Sequence, residues 1–325
     1  MSGDDQRPVE AVVRLLSSID LQALDLGQEQ IIDAVEDAIR REAASQVWSA
    51  PKSALTLGDG RYLMTTLSAS DAPPVSVVKF VMVSPDNAKI GLPAINGSIL
   101  IHDSRTGALL TVMDAKWVTA VRTAGLSGVV ARRLANPQSK RIGFIGAGVE
   151  ARSHLDAFVT LFPIREIAIF SRGTANIALL AEKARAMGLD AAVCDDPRAA
   201  LADSDLVVTS VTVTTTAAPF LDASWLKEGA FAAITDLAVP WRRESLSAFG
   251  CVIIDDRAQE AASPKRMIAE SMVHGDLKEL VLGKVAQSYD PGRRSAFIFR
   301  GIAIGDFAIA ALVHQQVKPT LDGAT

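Results

Sequence analysis

Residues 141–172 constrain this chain more than any other stretch. Arg141 to Ile145 is a short apolar strand, and Gly146, Gly148 and Ala151 follow it in G-x-G-x-x-A spacing. A helix opens through Glu150, Ala151 and His154, and Ile167 to Phe170 reads as a second strand. Strand, glycine turn, helix and strand in that order form the context in which a glycine motif carries meaning. Gly146 permits the tight turn. Gly148 lets a pyrophosphate approach the main chain, and Ala151 lets helix and strand pack closely. Free N–H groups at the helix start receive the phosphates. The expectation is a doubly wound α/β sheet that binds a dinucleotide.

The sequence after Arg141 continues in the same alternation. Apolar strands recur at Ala191 to Cys194, Leu206 to Val211, Phe231 to Ile234 and Val252 to Ile254, with helical segments such as Thr174 to Met187 between them. This implies a parallel sheet covered by helices. The first 120 residues differ, mixing helix with strand. Ile31 to Ala44 carries its apolar residues on one helical face. Arg61 to Leu67, Val75 to Val83, Ser98 to His102 and Leu109 to Met113 read as strands. Thr106-Gly107 supplies turn chemistry for an antiparallel hairpin between the last two. Val118 to Leu134 is a long amphipathic helix leading to the glycine motif, stopped by Asn136-Pro137. A last helix starts near Gly305.

Bulk properties exclude several classes. The net charge of the 325 residues is -4, which gives no electrostatic footprint for nucleic acid. Hydrophobic residues make up 49% and charged residues 22%, the balance of an ordinary globular chain. Cys194 and Cys251 lack metal-ligand spacing and fall in apolar runs, so they read as buried thiols of a reducing compartment. Met1 to Arg7 is polar and lacks the apolar core of a signal peptide. The run Gly301 to Val313 is interrupted by Asp306 and too short to span a bilayer. The expectation is a cytoplasmic protein without membrane or nucleic-acid partners. His102, His154, His274 and His314 show no metal-ligand pairing, so no metal is expected.

The end of the second strand bears on the choice of dinucleotide. A ribose-binding acid normally sits there, about 20 residues past the glycines. Here Ser171 and Arg172 occupy that place. A carboxylate repels a 2′-phosphate, whereas a hydroxyl and a guanidinium accept one. NADP(H) is therefore favoured, with NAD(H) possible if Arg172 is only a solvated loop residue.

Three further residues have the right chemistry for a site. Lys79 shares a strand face with Val75, Val77, Val81 and Val83. A lysine in an apolar row is costly to bury without a partner. It is either a catalytic residue that binds a substrate carboxylate and helps proton transfer, since burial lowers a lysine pKa, or a gatekeeper on an edge strand. Arg122, on the connecting helix, is either a carboxylate clamp in the interdomain cleft or an exposed helix arginine. Asp236 follows the strand Phe231 to Ile234, at the edge where ligands gather in such sheets. It is a proton donor or acceptor, a cofactor partner, or a cap. Val239 to Glu244 adds the cations Arg242 and Arg243 near the same edge.

Val78-Lys79-Phe80, Ala120-Val121-Arg122-Thr123-Ala124, Ile145-Gly146-Ala147-Gly148 and Pro240-Trp241-Arg242-Arg243-Glu244 occur in that order. Together they resemble the ornithine cyclodeaminase/mu-crystallin family, over nearly the whole chain. The resemblance implies a homodimer with a Rossmann domain, residues 121–304, inserted into a smaller α+β substrate-binding and dimerisation domain, residues 1–120 plus 305–325. It implies hydride exchange between a nicotinamide and the α-carbon of an amino or imino acid. By position, Lys79 and Arg122 match residues that hold the substrate carboxylate, and Lys52 stands where the family often has an arginine. Gly146, Ala147, Gly148, Val149 and Glu150 match the pyrophosphate loop, and Ser171 and Arg172 the adenosine-ribose end. Thr209, Val211, Thr212, Asp236 and Leu237 match segments lining the nicotinamide side, with Thr123 and Gly301 added as cofactor contacts.

Two departures narrow the reaction. Cyclodeaminases carry a catalytic aspartate two residues before the proline matching Pro240, and this chain has Ala238 there. The C-terminal pattern S-x-G-x-A-x-x-D becomes Phe299, Gly301, Ala303 and Asp306. The expected activity is NAD(P)H-dependent reduction of an α-imino acid, of ketimine or iminosuccinate type, reversible as an amino-acid dehydrogenase. Lys52, Arg242 and Arg243 supply charge for a second substrate carboxylate. The alternatives are an ornithine cyclodeaminase that forms proline and ammonia, and a non-catalytic binder of a nicotinamide nucleotide or small ligand.

Overall fold

A computed structural model describes residues 13–212, 218–285 and 288–317. The tail Met1 to Arg7 lies outside the described residues. Strand β1 (Arg14–Leu16) and the short helix α1 (Ser18–Gln22) lead into α2 (Gln28–Ala43). Helix α2 buries Ile31, Ile32, Val35, Ala38 and Ile39 along one face, with Arg40 and Arg41 at its C-terminal end, where the helix dipole favours cations. Strands β2 (Val47–Ser49), β3 (Ser53–Thr56), β4 (Tyr62–Asp71), β5 (Pro74–Val83), β6 (Ile95–Asp103) and β7 (Leu109–Asp114) follow. They form a sheet in the order β1-β7-β6-β5-β4-β2, with β3 also on β4. Strands β2 to β7 pair antiparallel, including the expected hairpin of β6 and β7, and β1 joins β7 in parallel.

Helix α3 (Ala115–Leu134) begins where Asp114 accepts a hydrogen bond from the Lys116 N–H. It is buried on nearly all sides, because it packs on α2 and β6 and also on the second sheet. That sheet is built from β8 (Arg141–Ile145), α4 (Val149–Leu161), β9 (Glu166–Phe170), α5 (Thr174–Ala186), β10 (Asp190–Val193), α6 (Pro197–Leu201), β11 (Leu206–Thr209), β12 (Phe231–Ile234), β13 (Cys251–Ile254), α7 (Arg257–Ala262), β14 (Gly275–Asp276), α8 (Leu277–Val281) and β15 (Ser295–Ile298). Its eight strands run parallel in the order β10-β9-β8-β11-β12-β15-β13-β14. The winding direction reverses between β8 and β11, and a ligand crevice opens at such a point. The final helix α9 (Ala303–Val317) packs against α2, α3, β4 and β5, so the chain returns to its first sheet.

Strand β15 is absent from the sequence expectation. Its four residues are all buried, yet Arg293 and Arg294 precede them and the run is too short to show a period. Among the described residues, no helix is long and apolar enough to cross a membrane.

Candidate functional site

Strand β5 is central, between β4 and β6, so Lys79 is not an edge gatekeeper. Alternation turns it inward with Val75, Val77 and Val81, and it is 1% exposed. Its Nζ lies 2.6 Å from Asp306 Oδ1 on α9. Thr66, directly across the ladder on β4, donates from Oγ1 to the other oxygen of Asp306 at 3.1 Å. Arg122 reaches the same carboxylate from α3, with Nε 3.2 Å from Oδ1. It is buried, which excludes the exposed-helix reading. Arg122 Nη1 is buried without a hydrogen-bond partner among the described residues. Two cations thus converge on one carboxylate, with guanidinium donor capacity to spare.

Glycine positions explain how Arg122 fits. A Cβ on Gly301 would lie 3.3 Å from Arg122 Nη1, and one on Gly305 would lie 3.2 Å from Arg122 Cδ. Gly301, at φ +92, donates its N–H to Asp255 Oδ2 at 2.8 Å. Asp255 also accepts from the Arg300 N–H, and its carboxyl is pushed up to about 6, chiefly by burial. Lys52 joins this edge, donating from Nζ to the Arg300 carbonyl at 3.2 Å. Burial first, and then the charge of Arg122, brings its amine down to about 8.

The glycine turn lies at the mouth of the second sheet. Gly146 has φ +96, and a Cβ there would come within 2.7 Å of the Ser210 carbonyl. The residue just past β11 crowds the turn at this point, and only glycine fits. Gly148 caps α4 without a side-chain hydrogen bond, and a Cβ on it would meet nothing within 4 Å among the described residues. The start of α4 is therefore uncapped and uncrowded at Gly148, which suits the close approach of a pyrophosphate. Ala151 is fully buried against the sheet, while Val149 is exposed. Arg152 donates to the Ala147 carbonyl at 3.1 Å and reaches Asn176 Oδ1 at 3.5 Å, tying the turn to the start of α5. Beside it, Ser171 is half-buried and Arg172 exposed at the end of β9. These residues fit a dinucleotide.

Asp236 is buried just past the carboxyl end of β12. Its oxygens accept from Thr209 Oγ1 at 3.0 Å and from the Val211 N–H at 3.1 Å. Burial pushes its carboxyl up to about 7 against those two bonds. Leu237 and Ala238 follow at φ +59 and +55, a strained pair for residues with side chains. Thr212 is exposed on the loop beyond Val211. Glu150, read from sequence as part of the phosphate loop, sends its side chain elsewhere. Its carboxyl stands beside Thr123 and feels the charges of Arg122 and Lys79. Burial pushes it up to about 7.

The structure therefore brings Lys79, Arg122, Thr123 and Glu150 together, with Lys52 at the margin. Arg242 does not join them. It pairs with Asp222 at 3.4 Å and lies over the Trp225 ring. Arg243 is held by the carbonyls of Met267 and Arg266. Sequence reasoning assigned no role to Asp306, Thr66, Asp255 or Arg152. Asp306 had a signal, as the lone acid in the apolar run 301–313.

Residues 11–320 match the ornithine cyclodeaminase/mu-crystallin family. Ketimine reductase mu-crystallin of Rattus norvegicus is 30% identical over 255 residues, covering 77% of each chain. The Thermococcus litoralis Δ1-pyrroline-2-carboxylate reductase, solved in complex with NADH and L-proline, is 26% identical, with a TM-score of 0.83 over 93% of this chain and 97% of that one. An archaeal alanine dehydrogenase, solved as a dimer with bound NAD, shares the fold at 24% identity and a TM-score of 0.82, over 94% of this chain and 95% of that one. The family match and the shared fold both run along almost the full length, and the chain belongs to the ornithine cyclodeaminase/mu-crystallin family.

Proposed function

We propose that this protein is an NAD(P)-dependent oxidoreductase that reduces an α-imino acid to an amino acid and runs the reverse oxidation. The observation that carries this reading is the convergence of Lys79 and Arg122 on Asp306, with Arg122 Nη1 left unpartnered among the described residues. Two buried cations against one carboxylate leave a positive charge for a substrate carboxylate. Holding that group fixes the α-carbon, and orientation of this kind is a large part of catalysis. The open turn at Gly146 and Gly148 would hold the pyrophosphate, with Thr209, Val211 and Asp236 on the nicotinamide side. The bound nicotinamide supplies the hydride. The ketimine reductase and pyrroline-carboxylate reductase relatives support the same chemistry. The reading keeps the division into a Rossmann unit, 121–304, and a substrate and dimerisation unit, 1–120 plus 305–325. The return of α9 to α2 and β5 supports it.

The cofactor we favour is NADP(H). Ser171 and the exposed Arg172 stand where an acid would exclude the 2′-phosphate. A homodimer is proposed through the outer face of the first sheet. There Trp48, Leu55, Leu67 and Phe80 are exposed on neighbouring strands, an apolar surface of the kind that marks an interface.

A cyclodeaminase reading lacks the same support. Ala238 offers no carboxylate, and both oxygens of Asp236 are taken by the Thr209 hydroxyl and the Val211 N–H. The test is a panel of 2-oxo acids with ammonia or methylamine, plus cyclic imines, followed by NADH and NADPH oxidation in parallel. Imine-dependent oxidation is expected. Nucleotide binding without turnover on the whole panel would leave a binding protein instead, and proline with ammonia from ornithine would restore the cyclodeaminase.

A further inference from the structure

We propose that Glu150 is the group that meets the substrate nitrogen, as proton donor to the imine in reduction and proton acceptor in the reverse direction. This rests on the reading above that the substrate carboxylate sits on Lys79 and Arg122. Glu150 lies in the first turn of α4, directly after the glycine turn. Its main chain belongs to the phosphate-binding helix start, but its side chain turns to the carboxylate cluster. Glu150 Oε2 is buried and has no hydrogen-bond partner among the described residues. No other carboxyl oxygen among those residues is both buried and unpartnered. Asp236 is held by Thr209 and Val211, and Asp255 by the N–H groups of Arg300 and Gly301.

An unpartnered buried polar atom calls for an explanation, and here a ligand supplies one. Two buried groups of opposite sign thus stand open among the described residues, Arg122 Nη1 and Glu150 Oε2, and the charge of the first is felt at the second. An α-imino or α-amino acid presents two groups of the matching signs, a carboxylate and a nitrogen, on one carbon. A ligand seated on Lys79 and Arg122 therefore brings its nitrogen into the region that the Glu150 carboxyl shares with them.

The step balances without another reagent. The imine nitrogen takes the proton of the Glu150 carboxyl, forming an N–H bond and leaving a carboxylate. A hydride pair from the reduced nicotinamide forms the Cα–H bond, and the C=N π pair becomes the nitrogen lone pair. Glu150 regains its proton from solvent. Its carboxyl, raised to about 7 by burial against the pull of Arg122, Lys79 and the Thr123 hydroxyl, can supply and recover that proton near neutrality. The other groups facing this region are Asp306, through its two cations, and Lys52, whose amine is brought down to about 8. His154, one turn on, bonds the Glu150 carbonyl and is pushed down to about 4, so its ring is neutral at the relevant pH. Asp236, raised to about 7, and Asp255, raised to about 6, are the other carboxyls of the crevice that titrate near Glu150.

The test uses the full chain loaded with reduced nicotinamide cofactor, titrated with pyrrole-2-carboxylate and furan-2-carboxylate by cofactor fluorescence. The two acids match in shape and charge, and only the first has an N–H. Effects of Lys52 or Asp255 on the carboxylate cancel in the ratio of the two affinities. The ratio should grow by about tenfold in favour of pyrrole-2-carboxylate between pH 6 and pH 8, as Glu150 ionises and accepts the N–H. Glu150→Gln should flatten that growth while cofactor affinity stays near wild type, and Asp236→Asn should keep it. A pH-independent ratio in the wild type overturns the proposal without any variant and leaves the carboxylate reading standing. Failure of either acid to bind overturns the carboxylate reading, and the proposal with it.

Discussion

The ammonium nitrogen of Lys79 sits 2.6 Å from Oδ1 of Asp306, a residue 227 positions further along the chain. Burial presses the Lys79 amine downward, and the Asp306 carboxylate pushes it back. A lone cation in this core would lose its charge or destabilise the fold. Paired in this way, it is kept aimed beside Arg122. The carboxylate of α9 thus assembles the cationic site from β5 and α3.

Lys79→Met should lower kcat/KM for imine reduction by about a hundredfold or more, because it removes one of two buried charges that grip the substrate. Cofactor affinity, measured by nicotinamide fluorescence, should stay near wild type. An active Lys79→Met enzyme would sink the assignment.

Asp306→Asn should cost about 3–5 kcal/mol in denaturant unfolding, since it leaves Lys79 and Arg122 buried without their anion. The double variant Lys79→Met/Asp306→Asn should lose less than the sum of the two single losses, as contacting residues do. Additive losses would mean that the pair is not coupled.

Gly146→Ala and Gly148→Ala should fail differently. The first places a Cβ 2.7 Å from the Ser210 carbonyl at φ +96, so thermal stability should fall. The second meets open space, so the melting temperature should stay close to wild type while dinucleotide affinity drops. Equal melting temperatures for both variants would contradict the packing of Ser210 on the turn.

Arg172→Ala should reduce kcat/KM with NADPH by about tenfold through loss of a charge-assisted contact, and leave NADH within about twofold. Parallel steady-state kinetics check this. An equal effect on both cofactors would make Arg172 a solvated loop residue.

Asp236→Asn tests the pH dependence of stability. Burial raises the folded-state value of Asp236 from 3.8 to about 7, so the folded protein holds this proton longer than the unfolded chain does. The contribution of Asp236 to stability therefore falls as pH rises from about 4 to about 7 and is level above that. The neutral amide escapes this cost. Relative to wild type, the variant should gain melting temperature between pH 5 and pH 8. A constant difference across that range would mean that the carboxyl is not raised.

Much of the nucleotide side was legible in sequence because it is local. A positive φ at Gly146, an uncapped helix start at Gly148 and a small residue at position 151 act within a few residues of one another, and linear spacing records them. The parallel sheet was legible for a similar reason, since buried strands alternating with helices leave a repeated pattern. Strand alternation also placed Lys79 on the apolar face of β5. What lies opposite that face is a different matter, because no local pattern encodes it. Only the tertiary structure set Asp306 of α9 between Lys79 and Arg122, made β5 a central strand, and seated β15 between β12 and β13. It also turned the Glu150 side chain out of the phosphate loop toward Thr123 and Arg122. The sequence determined which chemical groups the protein owns and how each one enters the backbone. Packing of α3, α4 and α9 decided which of them meet, because burying a charge is tolerated only where a partner from a distant element arrives to meet it.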